Sequence, residues 1–382
     1  MKIMIMAGTR PEAIKVAPVV SCLKATNNAD IVLCNAGQHK EMIRQAFADF
    51  SLEPDIVLDV MLQGQTLAGL NSRLFAAIDP VLDQEKPDWV LVQGDTNTVM
   101  VGALCAFYRN IRVGHIEAGL RTYNRRSPFP EEVNRQIVTR VADLHFAPTQ
   151  VAVDNLLRDG IDAGNIILTG NTVIDSLLAI HKQVATDRGL LLPEARDLLA
   201  SGKRMILITG HRRENFGESF KNMCGAMADI AGRNPDAFIL YPVHLNPNVQ
   251  DVVFGILNGR ERVLLTTPMA YRQFVAHIGA AHIILTDSGG IQEEAPALNK
   301  PVLVMRDTTE RPEGVEAGVA LLVGTGRDAI VREVERLLND SGHYRKMAAA
   351  ANPYGDGHAA ERIANAILSR NAETRIKGEN RQ

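Results

Sequence analysis

Short runs rich in Val, Ile and Leu recur along the chain, and between them lie longer stretches whose apolar residues return every three or four positions. An apolar run with no alternation is buried on both faces, so this rhythm predicts parallel strands covered by helices. Strands are predicted near 2–7, 30–36, 56–60, 88–94, 112–116, 143–147 and 166–169, and a second series near 205–209, 237–243, 262–266, 282–286, 301–305 and 320–323. Between the series, residues 186–203 interrupt the rhythm with Gly189, Pro193 and Gly202. The pattern therefore predicts an N-terminal domain over 1–170 and a C-terminal domain over 171–358, both Rossmann-like α/β, with a cleft between them. The segment from Asn352 to Ile363 reads as a Gly/Pro turn followed by a helix start. A helix over about 359–370 is expected to pack back on the first domain, leaving a polar, frayed tail over 371–382.

Length and composition support that division. A chain of 382 residues exceeds one ordinary core, at a prior of about 150 residues per domain. With 46% hydrophobic and 22% charged residues it has the balance of a globular protein. A net charge of −3 offers no general excess of Lys and Arg for a nucleic-acid backbone or an anionic membrane, so any anion must be bound locally. Cys22, Cys34, Cys105 and Cys224 are widely spaced in apolar surroundings and form no CxxC pair, which predicts reduced, buried thiols. No signal-peptide core opens the chain, and no run approaches the roughly 18 apolar residues of a membrane helix. A cytoplasmic protein is the expectation.

In open parallel sheets ligands bind outside the carboxyl ends of the strands, where helix N-termini turn unpaired N–H groups into the crevice. The residues that follow the predicted strands are unusually rich in chemistry. The first series gives Gly8, Arg10 and Lys15, then Asp95, then Glu117 and Arg121; the second gives His211, Arg212 and Arg213, then His244, then Ser288. Gly289 and Gly290 stand between a buried-type strand and a helix-forming segment, where backbone can approach an anion closely; a simple tight turn fits the same local sequence. Glu294, a turn further on, is placed to accept from ribose hydroxyls. Arg10, Lys15, Arg212, Arg213 and Arg311 can supply cations to a diphosphate, although for each alone a surface salt bridge is the commoner role. GxxxxGK[ST] and GxGxxG are both absent, which counts against ATP hydrolysis and nicotinamide chemistry.

Asp95, Glu117 and Glu131 are the acid/base carboxylates to be expected. Asp95 also fits a turn cap and Glu131 a charge complementing a helix dipole, whereas Glu117 ends an apolar strand and has little structural excuse. A free glutamic acid is only roughly 0.2% protonated at neutral pH, so one acting as an acid needs its pKa raised, which crowded carboxylates would do to one another. His211, between a strand and two arginines, is placed to donate to a phosphate. His115 and Glu117 share a strand face without further ligands, there is no HExxH, and no metal is assigned.

At these residues the chain resembles the non-hydrolysing UDP-N-acetylglucosamine 2-epimerases, from residue 1 to about 367. The segments that carry the resemblance include GTRPEAIK, GDTNT, GHIEAGLRTYN, SPFPEEVNR, GHRREN, YPVHLNPNV, TDSGGIQEEAP and NPYGDG. The resemblance implies a two-domain fold like that of GT-B glycosyltransferases. It also implies interconversion of UDP-N-acetylglucosamine and UDP-N-acetylmannosamine, without nicotinamide or any other cofactor. The implied route expels UDP to give 2-acetamidoglucal and adds it back, serving bacterial surface polysaccharide synthesis. Asp95, Glu117 and Glu131 then match acid/base positions and His211 a position assisting the departing diphosphate. Arg10, Lys15, Ser288, Gly289, Gly290 and Arg311 match phosphate-side positions, Phe274 a uracil contact and Glu294 a ribose contact. Some members bind a second substrate molecule as activator; Gln38 and His244 match that pattern, while Glu41 stands where some relatives have Gln and Gly64 where some have Arg. Met269, near the uracil contact, stands where some relatives have Gln. A homodimer is implied by resemblance alone. The rival readings are a glycosyltransferase sharing the UDP loop, a hydrolysing epimerase and a non-catalytic nucleotide-sugar sensor.

Overall fold

In the computed structural model, residues 1–37, 40–62 and 64–379 are described, apart from the side chains of Lys40 and of 371–379. Thirteen strands form among them: β1 Lys2–Ala7, β2 Asp30–Asn35, β3 Ile56–Val57, β4 Trp89–Gln93, β5 Arg112–Ile116, β6 Leu144–Ala147, β7 Ile166–Leu168, β8 Arg204–Thr209, β9 Ala237–Pro242, β10 Val263–Thr266, β11 Ile283–Thr286, β12 Val302–Val304 and β13 Ala320–Leu322. The chain divides into two compact units. Unit 1 comprises Met1–Ser176 and the chain from Gly355 onward; unit 2 is Leu177–Tyr354.

The sheet of unit 1 has the order β3-β2-β1-β4-β5-β6-β7, with every neighbouring pair parallel. Ile3 pairs with Ile31 on one side and with Trp89 on the other, and every residue of β4 is buried. Such strands need cover on both faces, and the helices Arg10–Thr26, Leu67–Glu85 and Asn97–Tyr108 contribute it. Met4, Met6, Leu74, Ile78, Val90, Val92 and Val101 form one core, each such side chain contributing about 1.5–3 kcal/mol on burial. The first helix starts where Thr9 caps it, its hydroxyl accepting from Glu12 N at 3.4 Å with Pro11 in the first turn, and ends on the left-handed Asn27 at φ 53°.

Unit 2 repeats the plan with the order β10-β9-β8-β11-β12-β13, again all parallel. Ile206, Ile208, Phe220, Met227, Ile239, Tyr241, Leu285 and Leu303 are among its core. In each sheet the direction of winding reverses once, between β1 and β4 and between β8 and β11. Those reversals open the crevices where doubly wound sheets bind ligands.

The fold is α/β with two Rossmann-like parallel sheets flanked by helices, as expected, and four details differ from the sequence reading. β3 is two residues long rather than five, because its partner β2 ends at Asn35 and the chain turns at Gly37, φ 77°. The division between units falls within the helix Thr172–Val184 rather than near 170. The last helix continues over Ala359–Glu379, since Ala, Glu, Arg and Lys past position 370 favour helix. Cys22 is half-buried, while Cys34, Cys105 and Cys224 are buried and all four are free thiols. In unit 1 the final helix lies along the helix Arg10–Thr26, with Ile363, Ala364 and Ile367 buried, Ala360 N donating to Asp175 Oδ1 at 2.8 Å and Arg362 Nη1 to Thr169 O at 2.9 Å.

Candidate functional site

Two constellations stand at the strand ends beside the reversals, one in each unit. In unit 1, Glu117 immediately follows β5, is buried, and holds a left-handed backbone at φ 65°. Lys15 Nζ lies 2.5 Å from its Oε1 and Asn171 Nδ2 donates to the same oxygen at 2.9 Å, while Gln93 Nε2 donates to Oε2. A buried carboxylate is tolerable only when so paired. Asp95 follows β4 and pairs with Arg135 at 2.6 Å, and Arg135 also reaches the fully buried Glu132 at 3.5 Å. Glu132 accepts from Thr122 N and Tyr123 N, each at 3.0 Å, and so ties the loop after β5 to the helix Glu131–Val141.

Gly94, at φ 82°, fixes where Asp95 points: its N–H donates to Ile116 O at 3.0 Å and its carbonyl accepts from His115 Nε2 at 2.7 Å. His115 is therefore protonated on Nε2, and burial pushes it down to about 3, so it stays neutral. Asp95 is pushed up chiefly by burial, against the pull of Arg135; Glu117 and Glu131 add smaller upward contributions and Lys15 a downward one. Crowding of carboxylates, expected to be the main cause, is thus secondary to burial. That mutual influence places Asp95, Glu117, Glu131 and Lys15 in one constellation. Arg10 opens the helix Arg10–Thr26 one residue past the end-of-strand loop.

In unit 2, the helix Gly289–Ala297 begins directly after Ser288. Gly289 and Gly290 are its first two residues rather than a left-handed turn. The N–H groups of Gly289, Gly290 and Ile291 precede the first intrahelical bond, from Gln292 N to Ser288 O, and form the positive end suited to an anion. A Cβ on Gly289 would stand 3.5 Å from Arg212 Nη2, and one on Gly290 would meet nothing within 4 Å. His211 is half exposed and stacked on His244, ring centroids 4.9 Å apart with 7° between planes. The residue matched to an activator site thus lies against the residue matched to leaving-group assistance. Gln38 lies outside the described residues. Glu294 is buried and accepts from Tyr271 OH at 3.1 Å; Phe274, half-buried, lies one turn further along the same helix, Tyr271–Ala280. Arg311 is engaged by the buried Glu293, an ion pair that the sequence reading of Arg311 as a phosphate cation did not include. Glu41 is exposed on the helix Lys40–Ala48 and Gly64 holds a left-handed turn at φ 69°.

Sequence reasoning missed Gln93, Asn171, Arg135 and Asn134, the last donating to Asp95 O at 3.0 Å. It also missed Tyr271, Glu293 and Asp287. Asp287 had a usable signal, an acidic residue closing an apolar strand inside a segment already singled out. Among the described residues no cluster of three or more His, Cys, Asp or Glu could hold a metal ion, and no helix is long and apolar enough to cross a membrane.

Comparison with known proteins gives this geometry a family. The family model described as UDP-N-acetylglucosamine 2-epimerase matches residues 21–368. The chain belongs to that family. The UDP-N-acetylglucosamine 2-epimerase of Escherichia coli (strain K12) is 49% identical over 369 residues, 96% of this chain and 98% of that one. The enzyme of the same name from Yersinia pestis is 48% identical over 369 residues, again 96% and 98%. Among solved structures, UDP-GlcNAc 2-epimerase from Neisseria meningitidis bound to UDP-GlcNAc is similar with a TM-score of 0.88 and 43% identity, covering 97% of this chain and 100% of that one.

Proposed function

We propose that this member of the family interconverts UDP-N-acetylglucosamine and UDP-N-acetylmannosamine without hydrolysis. The observation that carries the reading is the pair of carboxylates at adjacent strand ends, Glu117 buried and Asp95 half-buried, each with its own cation: Glu117 with Lys15 and Asp95 with Arg135. A transferase moving a sugar to an acceptor has no need of two such groups, whereas inversion at C2 requires proton removal on one face and delivery on the other.

In this reading UDP leaves C1 as the C2 proton is taken, giving 2-acetamidoglucal. Re-addition of UDP with protonation from the opposite face completes inversion. Glu117, whose oxygens accept from an ammonium and two amides, serves as base toward C2 in one direction. Asp95, pushed up by burial, carries the proton for the other face, and Glu131 supports the exchange. His211 and the N-terminus of Gly289–Ala297 serve the departing diphosphate, with Arg10 and Arg212 as further cations. Glu294 and Phe274 serve the ribose and the uracil. We further propose a cytoplasmic homodimer whose product enters surface polysaccharide synthesis; light scattering checks the assembly.

The decisive experiment incubates the chain with UDP-N-acetylglucosamine in deuterated water. The expected result is deuterium at C2 in both epimers, with UDP-N-acetylmannosamine accumulating and no free sugar. A C2 that keeps its hydrogen would remove the epimerase reading, and release of free N-acetylmannosamine as main product would favour a hydrolysing enzyme.

A further inference from the structure

Asp287 directly follows β11 and is 0% exposed. One carboxylate oxygen, Oδ2, accepts from the backbone N–H of His211 at 2.9 Å, from that of Arg212 at 2.9 Å and from Asn215 Nδ2 at 3.3 Å. That oxygen fixes the backbone that carries His211. The other oxygen, Oδ1, is equally buried and has no hydrogen-bond partner among the described residues. A buried acceptor left without a donor is destabilising, and His211 Nδ1 lies 3.9 Å from it. No hydrogen bond spans that distance, but a small rotation of the half-exposed imidazole would bring Nδ1–H onto Oδ1.

We propose that Asp287 is a positioning residue for His211, its free Oδ1 receiving Nδ1–H when a nucleoside diphosphate binds, so that Nε2–H is turned toward the diphosphate. The proposal rests on the reading of His211 given above. In the closed arrangement the imidazole is held as a two-donor cation between two anions. As the C1–O bond breaks, the electron pair goes to the β-phosphate oxygen, and the Nε2 proton can follow it. Re-addition returns the proton to Nε2.

The other groups facing His211 pull against this in the free protein. Burial lowers its pKa most; His244, stacked on it, and Arg212 lower it too, and Asp287 alone among the four causes raises it. Tyr241, whose hydroxyl donates to Gly210 O at 2.6 Å, is itself pushed up by burial, with Cys224 and Asp287 adding to it. A bound diphosphate adds negative charge on the exposed face and moves His211 toward the cation. An acid-competent histidine would thus form only when there is a leaving group to serve.

The test is an NMR titration of labelled histidine in the full chain, with and without UDP, for the wild type and for Asp287→Asn. Asparagine keeps an oxygen for the two backbone N–H groups and puts an N–H donor where Oδ1 was. UDP is expected to raise the pKa of His211 by at least one unit, tenfold in its proton affinity, in the wild type and by much less in the variant. The high-pH limb of kcat should move down in the variant by a similar amount. A wild-type His211 indifferent to UDP, or an equal shift in the variant, overturns the proposal. If the variant does not fold, the Nδ1 proton of wild-type His211 decides: a hydrogen-bonded Nδ1–H resonance that appears only with UDP supports the proposal, and its absence overturns it. Deuterium exchange at C2 is read separately, so a wild type that epimerises while His211 ignores UDP refutes only the role of Asp287.

Discussion

Glu117 combines two costs that a purely structural residue would not carry. Its left-handed backbone, at φ 65°, is worth about 1 kcal/mol or more of strain for a residue with a Cβ, and its carboxylate is buried. Both are met by Lys15, Gln93 and Asn171. Glu117→Gln is expected to lower turnover by about 10² to 10⁴ while leaving UDP affinity within about threefold, since the groups proposed for the nucleotide, Arg10 apart, belong to unit 2. Steady-state rates and calorimetric UDP titration check it, and near-normal turnover would remove Glu117 from the chemistry. Lys15→Met acts on the same pair from the other side. It strands a buried carboxylate, so the variant should lose turnover and on the order of 3 kcal/mol of stability, several degrees in apparent Tm. Unchanged melting would show that the two amides suffice. At this scale the sequence exposed the carboxylates, because a charge closing an apolar strand is out of place. It hid their partners, because Gln93, Asn171 and Arg135 are ordinary polar residues made special only by tertiary placement, Asn171 standing 54 positions from Glu117.

The first strand and helix of unit 1 meet at Gly8, Thr9 and Glu12. Glu12 is buried, one of its oxygens accepting from Gly8 N at 2.6 Å and the other having no partner among the described residues. Burial pushes its carboxyl up from an ordinary 4.5 to about 7, with the Gly8 N–H and neighbouring Thr96 and Thr9 pulling down and Asp95 adding a smaller push upward. A raised carboxyl favours the folded state only while protonated. Its contribution is therefore complete below pH 4.5, falls as pH rises toward 7, and is gone above, a span of about 3 kcal/mol. Glu12→Gln keeps an acceptor for Gly8 N and cannot ionise. Relative to the wild type it should gain stability on going from near pH 4.5 to near pH 8, by up to that amount. Denaturation midpoints of both proteins at the two pH values check this, and a constant difference would refute it. Elements such as this one were the most legible part of the chain. Each strand was marked by an apolar run, because strand burial is local chemistry. The length of β3 was not, because it depends on where β2 stops.

Across the whole chain the chemistry is divided between units. Asp95, Glu117, Glu131 and Lys15 belong to unit 1; His211, Ser288 and the helix Gly289–Ala297 belong to unit 2. The two-sheet architecture was legible because the strand rhythm repeats, and the return of the last helix to unit 1 was foreshadowed by the turn at NPYGDG. The exact division was hidden, since it falls inside a continuous helix, Thr172–Val184, with no breaker to mark it. The proposed route uses that division in a way a label can follow. The C2 hydrogen of the bound sugar is not next to a carbonyl, so the carboxylates of unit 1 cannot remove it as an isolated proton abstraction. In the proposed route its loss accompanies departure of the diphosphate assigned to unit 2. Once the C1–O bond is broken, the β-phosphate of UDP has three equivalent terminal oxygens, and rotation before re-addition mixes them. Substrate carrying heavy oxygen in the C1–O–P bridge should therefore return from the enzyme with label in non-bridging positions, in both epimers. Phosphorus NMR reads the isotope shift. In Glu117→Gln the scrambling and the deuterium uptake at C2 should fall together, because neither bond can break alone. Scrambling that persists after deuterium uptake is lost would mean that UDP departs first and the carboxylates act on a cation, which would separate the roles of the two units in time.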